Sequence, residues 1–235
     1  MKAKIKDKKE VAESTLKVVF DLMGQKIDFK AGQYIFISIP NSPYPDDKGN
    51  RRHFTISSPP EEKDIAITTR IRPSGFKKWL SEAPIGSEID LGMVTGEFIL
   101  PKSFDKHLIF LAGGIGVTPF MSMLGHIKNQ QLPFKVALIY SNRNRQSTAY
   151  FKELNSWTGQ IPDFKVIMTM TEDPDWPGEK RKIDAGFIKD YLPDPNLQTY
   201  YYISGPPAFA EGMKKVLEEV EVSGSDIKLE RFTGY

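Results

Sequence analysis

Four groups of residues carry types and spacings that could do chemistry. The first is Gly113-Gly114-Ile115-Gly116-Val117-Thr118-Pro119, which follows a continuous apolar run and precedes apolar residues at helical spacing. Glycine lets the chain turn tightly and lets a ligand approach the backbone. A helix start offers free N–H groups and the positive end of the dipole, which suits a pyrophosphate. A plain strand-to-helix turn without a ligand is the alternative. The second group, Ser141-Asn142-Arg143-Asn144-Arg145, stands at the tip of the next apolar run. An acidic residue there would grip a ribose 2′-hydroxyl, and none is present. The Ser141 hydroxyl and the Arg143 guanidinium suit a 2′-phosphate instead, which leans toward NADPH over NADH, although both arginines would serve equally as solvated loop residues. The third is Arg52-His53-Phe54-Thr55-Ile56-Ser57-Ser58, ended by Pro59. Alternation puts Arg52, Phe54 and Ile56 on one face and His53, Thr55 and Ser57 on the other. Taken alone, it reads as an ordinary strand. The fourth is Ser204-Gly205-Pro206-Pro207, a strand end running into a helix start.

Composition removes other chemistries. With no cysteine, the chain can form no disulfide, thiolate zinc site, cysteine nucleophile or cysteine-held iron–sulfur cluster. His53, His107 and His126 are isolated, so metal-ligand spacing is missing. No Gly-x-Ser-x-Gly elbow or Gly-x₄-Gly-Lys-Ser/Thr loop occurs. Asp46-Asp47 and Glu61-Glu62 read as solvated loop acids. Thirty-two basic and 30 acidic residues give a net charge of +2, which supplies no general reason to bind nucleic acid. Lys2, Lys4, Lys6, Lys8 and Lys9 read as a solvated edge that discourages strand addition. No secretory pattern or membrane-length apolar run is seen, so a cytoplasmic protein without a membrane span is expected.

The elements that must position these residues change character near residue 102. Before it, short period-two runs are broken by turns: Leu16, Val18 and Phe20; Tyr34 to Ile39; Ile65, Ile67 and Thr69. Residues 41–50 read as an exposed loop, and a short helix is expected over Phe76 to Leu80 after Gly75. This pattern predicts a small antiparallel β-barrel or sandwich over 1–102. Beyond it, strands and helices alternate. Leu108–Ala112, Val136–Tyr140, Lys165–Met170, Thr199–Ser204 and Ile227–Phe232 read as strands. Helices are expected after Thr118 as N-cap, around Tyr150 to Trp157, over Asp184 to Leu192 and over Phe209 to Val220. That order predicts an α/β domain over 103–235 with a doubly wound parallel sheet.

The pieces also stand in a telling sequence: Gly32-Gln33-Tyr34, Arg52-His53-Phe54-Thr55, Ser74-Gly75-Phe76, Gly96-Glu97-Phe98, Gly113 to Pro119, Ser204 to Pro207, and Glu230-Arg231-Phe232. Over essentially its whole length the chain resembles the ferredoxin–NADP reductase superfamily, which joins an FAD-binding barrel to an NAD(P)-binding α/β domain. The resemblance implies that Arg52 pairs with the FAD pyrophosphate. Phe54, usually tyrosine in relatives, would pack on the flavin or ribityl chain, with His53 beside it. Thr55 would lie near flavin N5. Thr68, Thr69 and Arg70 would flank FAD, and Gly75, Phe76 and Lys77 would meet phosphate at a helix start. Gly114, Gly116 and Thr118 would face the dinucleotide, with Gly205 and Pro206 bordering the nicotinamide. Ser204 stands where many relatives have cysteine. Glu230 would be a nearby polar partner, and Phe232, or with less weight Tyr235, would cover the flavin. Thr55, Ser204, Glu230 and Phe232 thus form the expected catalytic set.

The implied activity is FAD-dependent NAD(P)H oxidation. Hydride would move from nicotinamide to flavin N5, and electrons would pass to a separate acceptor such as ferredoxin, flavodoxin or another small redox protein. Reduction of free flavin, ferric complexes or quinones, or service as a flavoprotein subunit of a larger complex, are the alternatives.

Overall fold

Alternating short runs do form a barrel in the first hundred residues. The computed structural model describes residues 1–40, 42–191 and 198–232. Strands β1 (Lys2–Ala12), β2 (Thr15–Asp21), β3 (Tyr34–Ser38), β4 (Arg51–Thr55), β5 (Ile65–Arg70) and β6 (Glu88–Thr95) make one antiparallel sheet in the order β4-β3-β6-β1-β2-β5. Its two end strands meet through the bridge between Ile56 and Ile67, which curls the sheet on itself. Ile5, Val18, Phe20, Ile35, Ile37, Ile67 and Ile89 fill the interior. Helix α1 (Gly75–Glu82) adds Phe76 and Leu80 to that core.

The amino-terminal lysines do not mark an edge, because β1 lies between β6 and β2. Ala3 and Ile5 are fully buried, so Lys2, Lys4 and Lys6 occupy the outer face. There they pair with Asp90 at 3.2 Å, Glu88 at 3.8 Å and Asp64. An outward lysine stripe looks the same on an inner antiparallel strand as on an edge.

The second half supplies β7 (His107–Gly113), α2 (Thr118–Gln130), β8 (Val136–Asn142), α3 (Phe151–Trp157) and β9 (Phe164–Met170). It continues with α4 (Ala185–Tyr191), β10 (Thr199–Gly205), α5 (Pro207–Glu219) and β11 (Ile227–Arg231). The strands are parallel in the order β11-β10-β7-β8-β9, the doubly wound arrangement expected from the β–α alternation. On one face Ile109, Leu111, Ile139 and Ile203 pack with Phe187 and Ile188 of α4 and Ala210, Met213 and Leu217 of α5.

Two details differ from expectation. Thr118 is the first residue of α2 rather than a flanking cap, because a 3₁₀ turn over Gly114–Val117 leads straight into the helix. The helix expected to reach Leu192 is described to Tyr191, and Leu192 lies outside the described residues.

The chain divides into two compact units. Among the described residues, one holds Met1–Leu100 together with Thr118–Asn129; the other holds Pro101–Val117 and the rest of the chain from Gln130 to residue 232. Helix α2 therefore belongs with the barrel residues. Its Ser122 hydroxyl donates to the Ser58 carbonyl at 2.7 Å, and the Phe120 ring lies 5.8 Å from Phe98. Its His126 ring meets Glu61 at 2.5 Å, so Glu61 is partnered rather than simply solvated.

Candidate functional site

In the first unit Arg52 and Phe54 lie against the start of α1, which itself carries Gly75, Phe76 and Lys77. The β3–β4 register pairs Ile37 with Arg52 and Ile35 with Phe54, so Arg52 and Phe54 share the side of the core isoleucines. Phe54 stacks at 5.7 Å on Phe76, the second residue of α1. His53 and Thr55 take the opposite side. His53 packs at 5.3 Å from Tyr34 and 6.0 Å from Phe36, and Thr55 is buried. On β5 the Thr68 hydroxyl lies 3.1 Å from that of Ser57, Thr69 is buried, and Arg70 is half-buried.

Arg52 is held by its own loop. Nη1 donates to the carbonyls of Lys48 (2.6 Å), Gly49 (2.9 Å) and Arg51 (2.8 Å), and Nη2 donates to the Asp46 carboxylate. Asp46 also accepts from the Phe76 N–H at 2.9 Å and the Lys48 N–H at 3.0 Å. The Phe76 N–H bond, above all, holds this carboxyl below its usual range, helped by Lys48 and Arg52. Asp46 is thus an internal partner with a side chain only 9% exposed, correcting its reading as a solvated acid. Nor is the whole 41–50 loop exposed, since Ser42, Tyr44 and Asp46 are half-buried. The loop closes on α1 because residue 75 is glycine: a Cβ there would overlap the Pro45 carbonyl. Ser74 caps α1 by accepting the Lys77 N–H at 3.1 Å.

Lys77 is buried, and its ammonium is pushed down to about 8, first by burial and then by Arg72, Arg52 and Lys48. Beside this cluster lies a cavity of about 270 Å³ lined by Ile39, Ser42, Tyr44, Asp46, Gly49, Asn50 and Phe76.

In the second unit the candidates collect at the carboxyl ends of the parallel strands. From β7 the chain winds outward to β8 and β9, whereas β10 and β11 lie on its other side. The β7/β10 pair is therefore the switch point, where open α/β sheets place their ligands. Ser204 aligns with Ala112 across it and with Glu230 on the far side. Gly114 has a left-handed φ of 53°. The neighbouring glycines answer a packing need. A Cβ on Gly116 would overlap the Ser204 carbonyl and come within 2.6 Å of the Gly205 Cα. Cβ atoms on Gly113 and Gly205 would each strike the Phe209 ring. Pro206 precedes α5, and Phe232, half-buried, donates its N–H to the Gly205 carbonyl at 3.0 Å.

Two buried polar side chains here are unsatisfied. Ser204 is 0% exposed and its hydroxyl has no partner among the described residues; Asn142 is 6% exposed and neither amide atom has one. Buried orphans of this kind require an explanation such as a ligand. Ser141 is half-buried and Arg143 exposed, while Arg145 lies 5.1 Å over the Trp176 ring. Tyr235 lies outside the described residues.

Sequence reasoning missed Asp46 and Asn142. A polar residue ending an apolar strand was a usable signal for Asn142. Nothing periodic marks Asp46, two of whose partners lie six and 30 residues away.

A cation-rich helix start on a small barrel, followed by a parallel sheet with orphaned polar groups at its switch point, suits a protein that binds phosphate-bearing cofactors. Comparison with known families agrees: residues 2–99 match the oxidoreductase FAD-binding domain and 110–215 the oxidoreductase NAD-binding domain. Together the two matches place the chain among the FAD/NAD-binding oxidoreductases. It is 26% identical over 215 residues to the terephthalate 1,2-dioxygenase reductase component 2 of Comamonas sp, covering 89% of this chain and 61% of that one. A Candida albicans flavohemoprotein is 30% identical over 193 residues, covering 78% and 46%. The chain spans roughly half to three-fifths of the length of such relatives. The fold is shared with the FAD/NAD-binding domain of nitric oxide dioxygenase from Vibrio cholerae O1 biovar El Tor, at a TM-score of 0.85, 16% identity and 98% of both chains. It is shared also with a ferredoxin NADP+ reductase from Neisseria gonorrhoeae, at 0.82, 19% and 98% of both.

Proposed function

We propose that this chain takes hydride from a nicotinamide dinucleotide and passes the electrons on to a separate acceptor, with FAD as the resident cofactor. The observation that carries this reading is the order of the two domain matches, FAD-binding and then NAD-binding, on one chain. The residues fit both groups. Arg52, Lys77 and the first turn of α1 would hold the FAD diphosphate, since guanidinium and helix N–H groups both suit phosphate. Phe54 would pack on the flavin side, and Thr55 would present its hydroxyl near N5. Ser204 and Asn142, buried without partners, would be satisfied by the dinucleotide. Gly114, Gly116, Thr118, Gly205 and Pro206 would border it, with Glu230 and Phe232 close to the nicotinamide. Bound FAD would supply a two-electron acceptor that can release electrons singly. No side chain needs to act as acid or base in hydride transfer itself, so the chain's task is holding and orienting.

The proposed acceptor is a small redox protein, as suits relatives named as reductase or electron-transfer components of oxygenases, and the proposed location is the cytoplasm. NADPH is the favoured donor, on the strength of Ser141 and Arg143. An absorbance spectrum of the purified protein, followed by anaerobic titration with NADH and NADPH, tests the reading. Flavin bands bleached by either donor are expected. A colourless protein that takes up no added FAD would refute it.

A further inference from the structure

Resting on the FAD reading above, we propose that Asp46 is a positioning residue. Its single carboxylate fastens Arg52 of β4 to the first turn of α1, so that two separate elements act as one diphosphate-binding unit. One oxygen accepts from Arg52 Nη2 and the Lys48 N–H; the other accepts from the Phe76 N–H. The Pro45 carbonyl, lodged against Gly75, seats the same loop on the helix start.

Asp46 itself would repel a diphosphate, so its value lies in what it holds. Arginine has a long, rotamer-rich side chain, and fixing it before the ligand arrives removes an ordering cost from binding. The surrounding charge tolerates one acid. Lys48, Arg52 and Arg72 lie near enough to Lys77 to oppose its protonation, so the region around the helix start carries several cations beside Asp46. A doubly negative diphosphate would relieve that repulsion.

The test uses flavin-free protein and two probes, FAD and riboflavin, the latter having no phosphate. Binding is followed by flavin fluorescence in the parent, Asp46→Ala and Asp46→Asn, with melting temperatures recorded in parallel. We expect Asp46→Ala to weaken FAD binding about tenfold or more, as loss of charge-assisted contacts would. Riboflavin affinity should stay within about twofold, because it never engages the diphosphate donors. Asp46→Asn should fall between, since an amide accepts a hydrogen bond without charge. Adding Arg52→Ala to Asp46→Ala should cost little more.

Unchanged FAD affinity in both variants overturns the proposal. Tighter FAD binding also overturns it, by showing that the carboxylate competes for the donors. An equal loss of both probes with a lowered melting temperature does so too, by reducing Asp46 to a structural brace. If the parent binds riboflavin but not FAD, or neither flavin, the FAD reading itself fails, and that result is separate from any behaviour of Asp46.

Discussion

Lys77 is a cation kept where burial and three neighbouring positive groups all oppose its charge. Its folded value of about 8 lies below the ordinary 10.5. Folding therefore gains stability as pH rises from about 8 to 10.5, and the cost is fully present below 8. A bound diphosphate should act in the other sense by favouring the ammonium. FAD affinity should thus be strongest below about pH 8 and decline above it. Titrations from pH 6.5 to 9.5, with Lys77→Met flattening the profile, measure this. A second residue-scale expectation concerns donor choice. Both arginines are exposed, but Arg145 lies over the Trp176 ring, which makes Arg143 the better candidate for a 2′-phosphate. Arg143→Ala should raise the KM for NADPH by about tenfold, the scale of one lost charged contact, and leave that for NADH nearly unaltered. Matched changes with both donors would end the NADPH preference.

Among the elements, two glycines should respond oppositely to one added methyl. Gly116→Ala would drive a Cβ into the Ser204 backbone, where neither chain can give way. A loss of about 1–3 kcal/mol or more is expected from that overpacking. Gly212 lies within α5 with nothing inside 4 Å of its would-be Cβ. Gly212→Ala should stabilise by about 0.5–1 kcal/mol through helix propensity alone. Urea denaturation of both variants decides the matter. Element type and order were readable because period-two and period-3.6 patterns report which side of each element is buried. Strand order was not. The lysines of β1 alternate with buried Ala3 and Ile5 in a pattern that an edge and an inner strand share. The Asp46 contacts were equally hidden, because they join an irregular loop to a helix 30 residues away.

At the scale of the molecule, the change in pattern near residue 102 marks where the element types switch, but the packing is divided differently. Helix α2 follows β7 in sequence yet clusters with the barrel residues. Its apolar spacing showed that it buries a face and could not show against what. Gly125 packs on Pro59, and Met123 reaches Gly32, beside the Ser122 and Phe120 contacts. A fragment ending at residue 102 would expose that surface. It should be poorly folded by circular dichroism and should retain no flavin, whereas the full chain is expected to fold and to retain it. A monomeric, flavin-binding fragment would show that α2 is dispensable.

That discontinuity bears on how the protein is made. Emerging from the ribosome, the barrel would have its six strands in hand by residue 95, before the helix that completes its packing, which begins only at Thr118. Vectorial synthesis thus imposes a waiting interval on the amino-terminal half, during which an apolar flank stands open to chaperones.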